Sequence, residues 1–81
     1  MLITNKVYNN LEKGDILKDT REDYKGIEVK IDYKNKNFCD VLIMKTGGYK
    51  FVKKGDMFNF DSGDIKQYFV PKNLKNNIKK L

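Results

Sequence analysis

The most regular pattern of hydrophobic and polar positions lies in the middle of the chain. Residues 27–33 alternate between apolar and charged side chains, as expected for a half-buried β-strand. A second apolar run, residues 38–45, follows an Asn-containing turn at 34–37. Pairing Ile31 with Val41 matches apolar to apolar, whereas a one-residue slip sets Ile31 against Asp40. This register predicts one apolar face made of Ile27, Val29, Ile31, Tyr33, Cys39, Val41, Ile43 and Val52.

Further short strands are predicted on both sides of this hairpin. Gly47 and Gly48 suit a two-residue hairpin loop that leads into a strand at 49–53. Turns at 55–56 and 61–64 separate strands at 57–60 and 65–70, and Pro71 ends the last one. Residues 7–8 and 16–17 have the pattern of short strands. The fold class is therefore all-β, or β-rich α+β, with 5–7 short antiparallel strands in a small bent sheet or barrel.

The end of the chain has a different period. Leu74, Ile78 and Leu81 recur at i, i+4 and i+7, which predicts a basic amphipathic helix over residues 72–81. We expect this helix to pack on, or extend from, an antiparallel β domain at 1–71, so that the whole chain is a single domain. With its entry turn at 11–17, the β domain is similar in outline to SH3-like and OB-like barrels. A likeness of folds implies nothing about activity.

The positive charge is concentrated at the C-terminal end. The net charge is +6, and residues 66–81 hold five Lys and no acid, whereas residues 1–65 hold 12 basic and 11 acidic side chains. Sixteen of the seventeen basic residues are Lys and only one, Arg21, is Arg. Arg makes most base-specific contacts, so any nucleic-acid binding is expected to be non-specific and directed at the backbone.

Common catalytic designs are excluded by composition. The chain has no His and one cysteine, Cys39, so it cannot build a Cys/His zinc site, a Ser-His-Asp triad or a disulfide of its own. Glu28 and Lys30, with acids upstream, resemble the acid-x-Lys element of metal-dependent nucleases, but the wet face of any strand has this pattern. We therefore predict no enzyme activity, no metal and no cofactor. A polar start and short apolar runs predict a cytoplasmic protein without a membrane span.

The candidate contact surface is the segment 45–54, which holds four Lys, two aromatic rings and no acid. Rings among lysines are typical of surfaces that bind single-stranded nucleic acid. The predicted binding residues, from this segment and the C-terminal helix, are Lys45, Tyr49, Lys50, Phe51, Lys53, Lys54, Lys75, Lys79 and Lys80.

Three functional hypotheses follow. The first is a basic, non-enzymatic module that contacts nucleic acid, or a protein bound to it. The alternative is a phage- or mobile-element-encoded inhibitor of the anti-CRISPR or anti-defence type, which binds a host defence or replication protein. The third is a structural protein that forms a homodimer through a second apolar sheet face, which would include Leu42 and Met44.

Overall fold

The computed structural model describes residues 3–73 and contains five strands, two α-helices and one 3₁₀ turn. The elements in chain order are α1 (Asn5–Asn10), β1 (Ile16–Asp19), the 3₁₀ turn Glu22–Tyr24, β2 (Glu28–Lys34), β3 (Phe38–Lys45), β4 (Met57–Asp61), α2 (Ser62–Tyr68) and β5 (Phe69–Asn73). The strands form one antiparallel sheet in the order β4-β3-β2-β1-β5. The prediction of a small, β-rich antiparallel fold is confirmed. Within residues 3–73, β4 and β5 do not pair, so the sheet is not closed into a barrel.

The central hairpin has the register that the hydrophobic pattern predicts. Ile31 pairs with Val41 and Val29 with Ile43, and all four side chains are buried. A β-bulge between Ile31 and Tyr33 then shifts the pairing, so that Tyr33 lies opposite Asp40. Because one extra residue reverses the faces of a strand, Tyr33 leaves the predicted apolar face and is 52% exposed.

The first segment of the chain is a helix, so the strand predicted at residues 7–8 is wrong. Thr4 caps α1, because its hydroxyl accepts a hydrogen bond from the amide of Val7 at 3.2 Å. Ile3, Val7 and Leu11 are buried at a spacing of four residues, which is a helical stripe facing the sheet. Tyr8 is also buried, and its hydroxyl donates to the carbonyl of Asn35 at 2.8 Å.

A second capped helix replaces the turn predicted at 61–64 and most of the strand predicted at 65–70. The Asp61 carboxylate accepts from the amide of Asp64 at 2.8 Å and so begins α2. Ile65 and Phe69, four residues apart, are both buried. Strand β5 starts at Phe69 and continues through Pro71, which is tolerated because β5 is an edge strand.

This arrangement also affects the predicted C-terminal helix. Lys72 and Asn73, where that helix was predicted to begin, belong to β5. The remainder of the predicted helix, with Lys75, Lys79 and Lys80, lies outside the residues that the structure describes.

Residues 46–56 form a long loop, so the strand predicted at 49–53 is wrong. The partner of β3 is β4, with Val41 opposite Phe58. The loop lies against the β1–β2 connection instead, where Gly47 is in close contact with Gly26. A Cβ atom on Gly47 would stand 2.5 Å from the carbonyl carbon of Gly26, closer than any side chain permits. The loop therefore bends over the sheet, and Val52 packs against the core.

The hydrophobic core lies between the sheet and the two helices. Its buried side chains come from α1, α2, every strand except β4 and residues that flank these elements, and they are Ile3, Val7, Tyr8, Leu11, Leu17, Ile27, Val29, Ile31, Cys39, Val41, Ile43, Ile65 and Phe69. Burial raises the pKa of the Cys39 thiol, which suits a packing role for this side chain. Between residues 3 and 73, no helix has the length and apolar character needed to cross a membrane.

Candidate functional site

An aromatic cleft lies on the core-facing side of the sheet. Its volume is about 320 Å³, and its floor is made of the buried side chains of the β2–β3 hairpin. Six of its lining side chains come from β4, β5 and the 46–56 loop, and all of these except Val52 are aromatic. The full lining is Asp19, Arg21, Tyr24, Ile27, Val29, Ile43, Tyr49, Phe51, Val52, Phe58, Phe60 and Phe69. Apolar clefts with few polar groups are the usual form of a ligand site.

The polar end of the cleft is an ion pair. Arg21 donates to both oxygens of Asp19, from Nε at 3.1 Å and from Nη2 at 2.7 Å. The Asp19 side chain is 2% exposed, and its carboxylate raises the pKa of Arg21. The guanidinium also lies between two rings, 4.4 Å from the centre of Tyr24 and 4.7 Å from that of Tyr68. Arg21 is therefore fixed in place and neutralised.

One wall of the cleft is a chain of three rings. Tyr24 meets Tyr49 edge-on with centroids 5.1 Å apart, and Tyr49 meets Phe51 at 5.4 Å. Partial burial, and then the neighbouring Tyr24, raise the pKa of Tyr49 above its ordinary value. Phe51 ends the chain of rings with 78% of its surface exposed. An exposed ring beside an ordered aromatic wall can stack on a flat ligand.

A second depression, the basic groove, lies on the opposite face of the sheet. It has a volume of about 330 Å³ and is lined by Ile16, Glu28, Met44, Lys45, Lys54, Lys72 and Asn73. Lys72 Nζ lies 2.7 Å from Glu28 Oε2, and Lys45 Nζ lies 4.0 Å from Glu28 Oε1. Glu28 is the single acid among three lysines, so the groove keeps an excess of positive charge.

The Glu28 carboxylate should make stability depend on acid pH. The hydrogen bond from Lys72 lowers its pKa, and Lys45 and Lys18 contribute in the same direction. A carboxylate whose folded-state pKa is lowered stabilises the fold above its unfolded pKa, near 4.3, and this contribution is lost as the pH falls through the lowered value. Lys72→Met is expected to reduce stability at pH 7 and to leave it nearly unchanged at pH 2. Urea unfolding at both pH values measures this; an equal loss at each pH would contradict it.

The structure separates the residues that the sequence grouped together. Tyr49 and Phe51 line the aromatic cleft, whereas Lys45 and Lys54 line the basic groove on the other face. Lys50 and Lys53 are exposed on the loop between the two. Sequence reasoning did not identify the cleft residues from other elements, namely Asp19, Arg21, Tyr24, Phe58, Phe60 and Phe69.

The acid-x-Lys pattern does not assemble into a cluster. Lys18 pairs with Glu28 on the outer face, so Asp19, the next residue, points to the opposite face with the cleft. Within residues 3–73 there is no group of three or more His, Cys, Asp or Glu side chains that could hold a metal ion. Comparison of the chain with protein-family models, with curated proteins and with solved structures finds no significant match.

Proposed function

We propose that this protein is a non-enzymatic binding module that holds single-stranded nucleic acid at the mouth of the aromatic cleft. The observation that carries the proposal is the Phe51 ring, 78% exposed beside Tyr49 at the end of the cleft wall. Bases stack on such rings with little dependence on sequence, which accounts for about 1–3 kcal/mol per base. The ring stands on a loop whose other side chains include the exposed Lys50, Lys53 and Lys54.

The charges around the cleft favour backbone contact over base reading. Arg21, the one residue with a planar fork, is already bound to Asp19. The free cations of the loop are lysines, which act as point charges on phosphates. Binding of this kind is non-specific and weakens steeply with salt.

The stacking contact is tested by Phe51→Ala. We expect the affinity for a fluorescein-labelled dT12 strand, measured by anisotropy at 50 mM salt, to fall roughly 5- to 100-fold, which is the loss of one stacked base. Tyr33→Ala is the matched control, because Tyr33 is also an exposed ring but lies outside the cleft. An equal effect of both substitutions, or no binding by the wild-type protein, would overturn the proposal.

The same assay run as a salt series tests the lysines of the loop. Replacing Lys50 and Lys53 with Gln is expected to lower the slope of log affinity against log salt by about 1.4, since each phosphate contact on a single strand contributes roughly 0.7. Lys13→Gln with Lys36→Gln is the control, because both side chains are exposed and neither lines the cleft nor the groove. If the control pair lowers the slope as much, binding is spread over the surface and the loop has no special role.

The second candidate function is an inhibitor of the phage or mobile-element type that binds a host protein. The observation in its favour is the apolar character of the cleft, whose one ion pair is internally neutralised. An apolar segment of a protein would fill such a cleft without a need for charge. This candidate requires that dT12 does not bind at 50 mM salt and that Phe51→Ala still abolishes capture of one host protein.

We also infer that the sheet is a partly open form of a small SH3-like or OB-like barrel. In support, β4 and β5 are the two edge strands of the sheet, yet side chains from them come into contact, so the sheet bends around the core. Phe60 of β4 and Phe69 of β5 then meet across the open side, with centroids 5.4 Å apart. Side chains, rather than strand pairing, fill the gap.

A further inference from the structure

The two edges of the sheet differ in how they are protected against pairing. Edge strand β5 contains Pro71 and Lys72, which are two common devices that prevent a further strand from adding. Edge strand β4 has no Pro and no Lys, and it exposes Met57 at 51% and Phe58 at 39%. An apolar, unprotected edge indicates a place where another strand pairs.

The backbone groups on the open side of β4 follow from its pairing with β3. The carbonyl of Asp56 accepts from Ile43 at 2.9 Å, and the amide of Ser62 donates to Asn37 at 2.7 Å. Even-numbered residues between them therefore direct their amides and carbonyls at β3, and the odd-numbered ones direct theirs away. Met57, Asn59 and Asp61 thus present their backbone groups outward, and Asn59 lies midway between the other two.

We propose that two copies of this chain pair through β4, antiparallel and about a twofold axis at Asn59. In this register Met57 lies opposite Asp61 of the partner subunit, so the outward-facing residues of both strands exchange hydrogen bonds. Phe58 becomes the cross-strand neighbour of Phe60 of the partner subunit, and such aromatic pairs stabilise a sheet. The pairing buries the exposed part of Phe58.

The charges that flank β4 favour a second copy as the occupant. Residues 53–56, before the strand, carry two Lys and one Asp, and residues 61–64, at its end, carry two Asp. Antiparallel self-pairing places the basic flank of each copy beside the acidic flank of the other. A parallel arrangement would set like charges together. The twofold axis also brings two aromatic clefts to the same side of one continuous sheet, which would strengthen binding to a long strand.

Sedimentation of the full chain between about 10 µM and 1 mM tests the proposal. We expect a monomer–dimer equilibrium with a dissociation constant of tens of micromolar, the range of small interfaces. Asn59→Pro removes an outward amide that β3 does not use and should weaken the dimer at least about tenfold. Asn59→Ala is the control, because it removes only the side-chain bond from Nδ2 to Asp40, 2.8 Å long, and should leave the dimer intact.

Circular dichroism distinguishes a broken interface from a broken fold. If Asn59→Pro does not fold, Met57→Lys takes its place, since a lysine on an exposed edge opposes strand addition. Loss of the dimer in a folded variant supports the proposal. A wild-type protein that stays monomeric to about 1 mM, a dimer that survives Met57→Lys, or equal weakening by Asn59→Ala overturns it. Failure of dT12 binding leaves this result unaffected, because sedimentation measures self-association without nucleic acid and the outward backbone groups of β4 take no part in the stacking on Phe51.

Discussion

Replacing Gly47 with Ala is expected to destabilise the protein by about 3 kcal/mol and to disrupt the aromatic cleft. Two costs add. Gly47 has a φ of +61°, where an L side chain costs about 1 kcal/mol. The new Cβ would also stand 2.6 Å from the backbone Cα of Gly26, and neither atom can rotate away from the other, so the loops must separate. Because Tyr49 follows Gly47 closely, its contact with Tyr24 should be lost with the loop position.

Gly48 is a matched control for this substitution. It has a similar backbone conformation, with a φ of +87°, but a Cβ there would meet nothing within 4 Å. Gly48→Ala should therefore cost only the conformational term of about 1 kcal/mol and leave the cleft intact. Urea unfolding measures the stabilities, and near-ultraviolet circular dichroism reports the tyrosine environment. Equal losses for the two variants would show that the approach of the loops does not matter.

The glycine pair also shows where sequence reasoning on the fold stops. The alternation over residues 27–33 was enough to predict the register of β2 against β3, because a slip by one residue would move the apolar side chains from the core to the solvent face. Gly47 and Gly48 resembled a local hairpin turn, yet Gly47 is required by contact with Gly26, 21 positions earlier in the chain. A contact between distant loops leaves no periodic signal. The two helices did leave signals, in the four-residue spacing of Ile3, Val7 and Leu11 and in the Asp61 cap.

The candidate site was predicted in part for the same reason. Tyr49 and Phe51 stood out because rings among lysines form a local pattern, and both line the cleft. Their partners come from separate elements, so only tertiary structure brings Tyr24, Phe58 and Phe69 beside them. The one available signal was Arg21, the only arginine, two residues after Asp19 and three before Tyr24. A lone arginine in a lysine-rich chain suggests a position where the planar fork is needed.

Arg21→Met is expected to destabilise the protein by about 3 kcal/mol, because it leaves the Asp19 carboxylate buried without its cation. The Asp19 side chain is 2% exposed, so water cannot replace the guanidinium without opening the cleft. Met keeps an apolar side chain at this position but removes the guanidinium that contacts the rings of Tyr24 and Tyr68, so the loss includes the charge, its hydrogen bonds and these ring contacts. Urea unfolding at pH 7 gives the free energy of unfolding directly.

The double variant Asp19→Asn with Arg21→Met separates pairing from burial. In the wild-type protein the backbone amide of residue 21 donates to Asp19 Oδ1 at 3.0 Å. Asn at position 19 keeps an oxygen that can accept this bond, and it removes the uncompensated charge. If the buried charge is the cause, the double variant should recover most of the stability lost in Arg21→Met. If both variants are equally unstable, the cleft depends on the ring–guanidinium stack. In that case Arg21→Lys, which keeps the charge but not the planar fork, should be as damaging as Arg21→Met.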